Sequence, residues 1–273
     1  MVKRIYNKVK KVLFADPKLL FDEERTLISE PFYFKGNNGK AVLLIHGWTS
    51  TAYEVRRLGK FLNDNDYTVY GPMLRGHGTS HKDLEDVRAH DWLVDIGVAF
   101  DKLKSEHEKV YIGGTSIGSN LAIAFSAGRI DVAGLILMAT PYRMKLETMT
   151  VGLAKFLNIF MTYKNKFYPP TFGLSTTITR LISYQTYPIV SALEAFKIVR
   201  ESRRALGEIT QPCLMMQSTH DHVVAKDSLE KIYTNIRSEI KKKKYVHQAY
   251  HTFVSDIKNE HVFEDILDFL NQN

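Results

Sequence analysis

The chain carries one cysteine, Cys213, among its 273 residues. A single thiol excludes an internal disulfide. It lies in the apolar run Cys213-Leu214-Met215-Met216, so an inert core thiol is expected rather than a reactive one. No apolar run is long enough to span a bilayer. The first residues lack the apolar core and small-residue cleavage site of a secretory signal. Together these absences set a cytoplasmic expectation. Repeats, low-complexity tracts and an interdomain linker are also missing. With 44% hydrophobic and 25% charged residues, the composition is that of an ordinary globular protein. The length suits one large domain with room for an inserted subdomain.

The formal charge is +7, and two places concentrate it. The run Lys241-Lys242-Lys243-Lys244 is expected to be a solvated loop before a short strand at 244–246. The other is Lys3, Arg4, Lys8, Lys10 and Lys11, interleaved with Val2, Ile5, Val9, Val12 and Leu13. This spacing makes residues 1–30 a basic amphipathic segment. Two readings of it stay open: weak contact with an anionic membrane surface, or a helix packed on the body of the protein. No nucleic-acid fold motif accompanies the charge, so nucleic acid is not an expected partner.

Continuous apolar runs at 41–45, 67–70, 110–112, 134–138 and 213–217 read as buried strands. Between them, helical spacing appears at 53–62 and at 92–103, where Trp92, Ile96, Ala99, Phe100 and Leu103 share a face. Later helices are expected at 189–206 and 228–236, and Val262, Phe263, Ile266, Leu267, Phe269 and Leu270 form the stripe of a closing one. Alternating β and α with apolar strands predicts an α/β fold: a doubly wound, mostly parallel sheet covered on both faces. The alternation breaks between Thr140 and Gln211, where no clean strand appears. That stretch is rich in aromatic residues, Phe156, Phe160, Tyr163, Phe167, Tyr168, Phe172, Tyr184 and Tyr187 among them. The expected organisation is therefore a core of residues 31–139 and 212–273, with residues 140–211 inserted as a helical cap.

Sites in such sheets form at the carboxyl ends of the strands. His46-Gly47-Trp48, Gly76-His77-Gly78 and Ser116 each fall just after an expected strand. The most informative stretch is Gly114-Thr115-Ser116-Ile117-Gly118, which reads G-x-S-x-G between a strand and a helix. A serine on so sharp a turn has its hydroxyl held clear of the sheet, and the glycines let backbone pass close by. The first free N–H groups of the helix point at the same place. The competing reading is a tight βα turn whose serine caps the helix.

A serine hydroxyl needs a base, and the base needs an orienting group. Around a G-x-S-x-G turn the chain order is serine, acid, histidine. Asp221 closes Gln217-Ser218-Thr219-His220-Asp221 just past a late strand and is the candidate acid. Asp227 is expected to cap the helix that follows it. Of ten histidines, order removes those before Asp221. His222 adjoins the acid, His247 lies beside the last strand, and His261 starts the closing helix. His251, in the loop after that strand, is the candidate base. An oxyanion needs two donors: the backbone N–H groups of Ile117 and of Trp48 are the candidates. Gly47 would let the backbone approach a substrate, His46 would brace its loop, and the Trp48 side chain would line a pocket.

With His46-Gly47-Trp48-Thr49-Ser50, Leu74-Arg75-Gly76-His77-Gly78, the serine turn, Asp221 and His251 in place, the chain from about Lys40 onward resembles the α/β-hydrolase superfamily. Within it, the set is similar to bacterial carboxylesterases and monoacylglycerol lipases with a small helical cap. It departs at Thr115, and at Gly118-Ser119 where a Gly-Gly pair is common. The resemblance implies serine esterase chemistry on a small-molecule ester, with no metal and no organic cofactor. The leading expectation is a carboxylesterase for short to medium acyl esters. The alternatives are a monoacylglycerol lipase or lysophospholipase, a thioesterase or acyltransferase with the same triad, and a non-catalytic binding protein of this fold. Oligomeric state is not legible.

Overall fold

The computed structural model describes residues 27–144, 146–166 and 181–273. The basic amphipathic segment lies outside these residues up to position 26, as do Phe167, Tyr168 and Phe172 of the aromatic stretch. The strands among the described residues are β1 (Phe32–Phe34), β2 (Lys40–Ile45), β3 (Thr68–Gly71), β4 (Lys109–Thr115), β5 (Gly134–Met138), β6 (Tyr163–Asn165), β7 (Thr186–Pro188), β8 (Cys213–Ser218) and β9 (Lys241–Val246). Seven of them form one sheet in the order β1-β3-β2-β4-β5-β8-β9. Every neighbouring pair is parallel except β1 with β3.

The side-chain period of two divides each central strand between two cores. Ala41, Leu43 and Ile45 of β2 join one apolar cluster, while Val42 and Leu44 join the other. Strands β5 and β8 split the same way, Leu135, Leu137, Cys213 and Met215 against Ile136, Met138, Leu214 and Met216. Such strands carry continuous apolar runs because both faces are covered. On the first face lie α2 (Ala89–Lys104), α3 (Ile117–Ser126) and α5 (Ile189–Ala205), through residues such as Trp92, Leu121 and Ile198. On the second lie α1 (Tyr53–Asp64) and α7 (His261–Gln272), through Val55, Leu58, Phe263 and Ile266. Each fully buried Leu, Ile or Phe contributes about 1.5–3 kcal/mol. Helices on both faces of a largely parallel sheet make this the doubly wound architecture read from the sequence. Among the described residues, no helix is long and apolar enough to cross a membrane.

Four details differ from the sequence reading. The lysine run is not a loop: Lys241–Lys244 belong to β9, paired residue by residue with β8 from Cys213 to Ser218. It is an edge strand, where charged side chains discourage further strand addition. Lys243 pairs with Glu230, Lys244 with Asp265, and the Lys241 ammonium reaches the Tyr233 and Ile236 carbonyls. The second difference is β1, an antiparallel edge strand that its three residues were too short to announce. The third lies between β5 and β8: the three-residue strands β6 and β7 pair antiparallel, with Lys164 opposite Tyr187. The fourth is Asp227. It stands at the N-cap of α6 (Ser228–Asn235) but makes no capping bond; one carboxylate oxygen, Oδ2, pairs with Arg143 at 2.8 Å and Lys231 at 2.9 Å. Cys213 is fully buried, and burial pushes its thiol up to about 12.

Candidate active site

Strand β4 ends at Thr115 and α3 starts at Ile117, leaving Ser116 alone on the turn. Its φ of 53° and ψ of −123° are an unfavourable backbone conformation for a non-glycine residue. The strain is held by the surroundings. The Ser116 N–H donates to the Met138 carbonyl at 2.8 Å. Two residues of the turn must be glycine. A Cβ on Gly114 would collide with the Gly118 carbonyl group, and one on Gly118 would collide with the Ile45 oxygen. Ser119 braces the turn from behind. Its hydroxyl donates to the Gly114 carbonyl at 2.5 Å and accepts from the Met138 N–H at 3.0 Å.

That tightness makes a prediction. Gly118→Ala forces α3 away from the end of β2, because the obstacle is backbone rather than a flexible side chain. Overpacking of this kind costs about 1–3 kcal/mol, read as a lower urea midpoint. The Ile117 N–H moves with the helix, so turnover falls by about a hundredfold, more than the lost stability accounts for. Unchanged activity in a folded Gly118→Ala protein would contradict the close approach.

The structure brings together the serine of the turn and the two residues singled out by chain order. His251 Nε2 lies 3.0 Å from Ser116 Oγ, and His251 Nδ1 lies 2.7 Å from Asp221 Oδ2. An ionised carboxylate only accepts, so Nδ1 carries the proton and Nε2 accepts from the serine. The other oxygen of Asp221 accepts the N–H groups of Val223 and Val224, each at 2.8 Å. Both residues are buried, Asp221 at 5% exposure and His251 at 9%. Burial opposes the charge on Asp221, but His251 and the two N–H groups outweigh it and hold the carboxyl below its usual value. Burial likewise pushes His251 down, and Asp221 with help from Glu54 more than restores it, so its value is raised. The structure does not bring His247 here: it lies exposed beyond β9, while His261 begins α7.

The loop after β2 supplies the facing wall. Gly47 donates its N–H to Glu54 Oε2 at 2.7 Å. Among the described residues the Trp48 N–H has no acceptor, and Ile117 at the first position of α3 has none within its helix. Two free backbone donors beside a serine are what a developing oxyanion requires. A Cβ on Gly47 would come within 3.6 Å of Ser116 Cβ. The Trp48 indole is fixed by a bond to Ser191 Oγ at 2.9 Å and by Tyr187, ring centroids 4.8 Å apart.

Both histidines of the neighbouring loops are braces. His46 Nδ1 donates to the Gly47 carbonyl at 2.9 Å and Nε2 accepts from the Leu74 N–H at 3.1 Å. His77 Nδ1 donates to the Arg75 carbonyl and Nε2 accepts from the Thr49 N–H at 3.0 Å. Burial takes His46 down to about 4 and His77 well below its ordinary value. Both stay neutral, which each needs in order to accept at Nε2. Thr49 itself has a φ of 63°, a strained turn that this bond stabilises. The sequence marked His77 only by its place after a strand. Glu54, whose carboxylate pins the Gly47 N–H, was missed altogether.

Ser116 and His251 open into a cavity of about 540 Å³, lined by apolar side chains including Met144, Phe196 and Val199. Glu54 and Lys166 are its only acid and its only lysine or arginine among the described residues.

A family model described as "Serine aminopeptidase, S33" matches residues 36–258. A carboxylesterase of Bacillus subtilis (strain 168) is 25% identical over 248 residues, covering 90% of this chain and 98% of its own length. A thermostable monoacylglycerol lipase of Bacillus sp. (strain H-257) is 27% identical over 245 residues, covering 88% and 94%. A solved structure reported for LipS and LipT, two metagenome-derived lipolytic enzymes, superposes with a TM-score of 0.81 at 26% identity, over 90% of this chain and 98% of that one.

Proposed function

The chain belongs to the α/β-hydrolase family described as serine aminopeptidase, S33, and we propose that it is a carboxylesterase acting through an acyl-enzyme on esters of short to medium chain length. The observation that carries the reading is the unbroken line from Asp221 through His251 to Ser116, at 2.7 and 3.0 Å. His251 takes the Ser116 proton as the oxygen attacks the ester carbonyl. The Trp48 and Ile117 N–H groups hold the tetrahedral oxyanion, and Asp221 stabilises the imidazolium. His251 then protonates the departing alcohol. Water, deprotonated by the same histidine, releases the acid and restores the serine.

The cavity supports esters over the aminopeptidase substrates in the family's description. An α-ammonium needs a carboxylate to receive it. The one acid of the lining among the described residues, Glu54, is held by the Gly47 N–H, and Lys166 would repel a second cation. The relatives named for carboxylesterase and lipase activities point the same way. We take residues 140–211 as a cap over this cavity, since Met144, Lys166, Ser183 and Tyr187 line it from that stretch.

A second reading, a monoacylglycerol lipase, is favoured by the surface of α4 (Glu147–Leu157). This helix buries no residue, and Leu146, Met149, Phe156, Ile159 and Phe160 are exposed around it. A contiguous exposed apolar surface suits a lipid-like substrate. Hydrolysis of p-nitrophenyl esters from acetate to palmitate separates the two. The expected optimum is at short or medium chains. A long-chain optimum selects the lipase, and no hydrolysis at any length refutes both.

A further inference from the structure

Lys166 is a charge inside the cavity that the ester mechanism does not use. It directly follows β6, and its backbone N–H is fixed to the Gln185 carbonyl at 2.8 Å. Its side chain enters the same cavity as Ser116 and His251. There the ammonium donates to Ser183 Oγ at 3.2 Å. Among the described residues no carboxylate lies within ion-pair distance of it. A bond to Ser183 does not require a cation, since a neutral donor would serve as well. Holding an ammonium in an apolar enclosure without a contacting counter-charge costs stability. Such a charge is kept where a ligand completes it.

We propose that the cavity takes an ester bearing a second, negatively charged group, a carboxylate or a phosphate, and that Lys166 binds that group while Ser116 faces the ester carbonyl. This rests on the ester-hydrolase reading and adds its substrate class. The chemistry of the surroundings agrees. Burial lowers Lys166 to about 8, with Glu54 opposing, so the ammonium remains charged at neutral pH. Glu54, the one acid lining the cavity among the described residues, is turned to the Gly47 N–H, and burial raises it.

Two matched pairs of esters test the inference. On the acyl side, p-nitrophenyl octanoate is compared with the p-nitrophenyl monoester of suberic acid. On the alcohol side, monobutyrin is compared with its glycerol 3-phosphate counterpart. The quantity read is kcat/KM for the charged ester divided by that for the neutral one. In Lys166→Met this ratio is expected to fall about ten- to a hundred-fold for at least one pair, the worth of a hydrogen bond to a charged group. The loss should lie in KM, neutral esters should stay within about twofold when read on the plateau above the acid limb of His251, which Lys166 helps to set, and Lys166→Arg should recover part of the ratio. The pair that responds identifies which end of the ester carries the anion.

The unaltered protein gives an independent readout. Its charged-to-neutral ratio should fall as pH rises through about 8, where Lys166 loses its proton. Titration of His251 affects both esters alike and cancels. Among the described residues, Glu54, His222, Tyr187 and Tyr250 are the other titratable groups of the cavity, and Lys166→Met identifies their share. A ratio unmoved by Lys166→Met and by pH, with neutral esters still turned over, overturns this inference and leaves the esterase reading standing. If no ester in either pair is hydrolysed by the unaltered protein, both fall together.

Discussion

Ser116→Ala is expected to lower kcat on p-nitrophenyl esters by about six orders of magnitude, the size seen when a serine nucleophile of a triad is removed. The variant keeps the Cβ and therefore the same backbone demands at φ 53°, so folding stability should change little. What disappears is the hydroxyl hydrogen-bonded to His251 Nε2. The oxyanion donors, Trp48 N–H and Ile117 N–H, are backbone groups and survive the substitution. Some catalysis over water should thus remain, about 10³-fold. Intact-mass measurement after incubation with a fluorophosphonate gives the complementary result: one adduct on the unaltered protein, none on Ser116→Ala. If the variant hydrolyses esters within tenfold of normal, a different group attacks the carbonyl and the reading of the elbow is wrong.

The elbow was legible because its evidence is local. A continuous apolar run, a G-x-S-x-G turn and a helical pattern adjoin within about twenty residues of sequence. The two glycines are demanded by contacts with Gly118 and with Ile45, and the first of these is itself inside the motif. Asp221 and His251 were legible in a different way, from chain order after two late strands. Their 2.7 Å contact joins loops thirty residues apart, which only the parallel pairing of β8 with β9 brings side by side.

What the sequence hid is non-local or runs against composition. Four consecutive lysines look like a solvated loop, and only the neighbouring strand makes them β9. Their apolar stems and edge position tolerate what a central strand would not. The pairs β6–β7 and β1–β3 involve three residues each, too few for a period of two to show. Glu54 sits in the first turn of α1, where an acid is already favoured by the helix dipole. Nothing in the sequence adds that its carboxylate reaches back seven residues to Gly47. Lys166 stands between Asn165 and Phe167, and nothing in that pattern marks it as a cavity residue; its backbone is placed by the bond to the Gln185 carbonyl just past the β6–β7 pair.

Asp221→Asn is the sharper test of how the base is set. The amide oxygen can still accept the Val223 and Val224 N–H groups, so the loop should hold its shape. The amide NH₂, however, would face His251 Nδ1 and favour the tautomer with its proton on Nε2. That nitrogen then meets Ser116 Oγ with a donor and cannot take its proton. The expected fall in kcat is about 10⁴-fold. The pH profile should move as well. Asp221 is what raises His251 against the downward push of burial, with Glu54 assisting and Lys166 opposing. The acid limb of kcat/KM, which reports the free enzyme's base, should therefore lie above the ordinary imidazole value in the unaltered protein. Without the carboxylate charge, burial dominates and the limb shifts to lower pH. Slow turnover with a lowered acid limb is the signature of an orienting carboxylate. A fall of only severalfold with the limb in place would mean that Asp221 braces its own loop, and that another group holds the histidine.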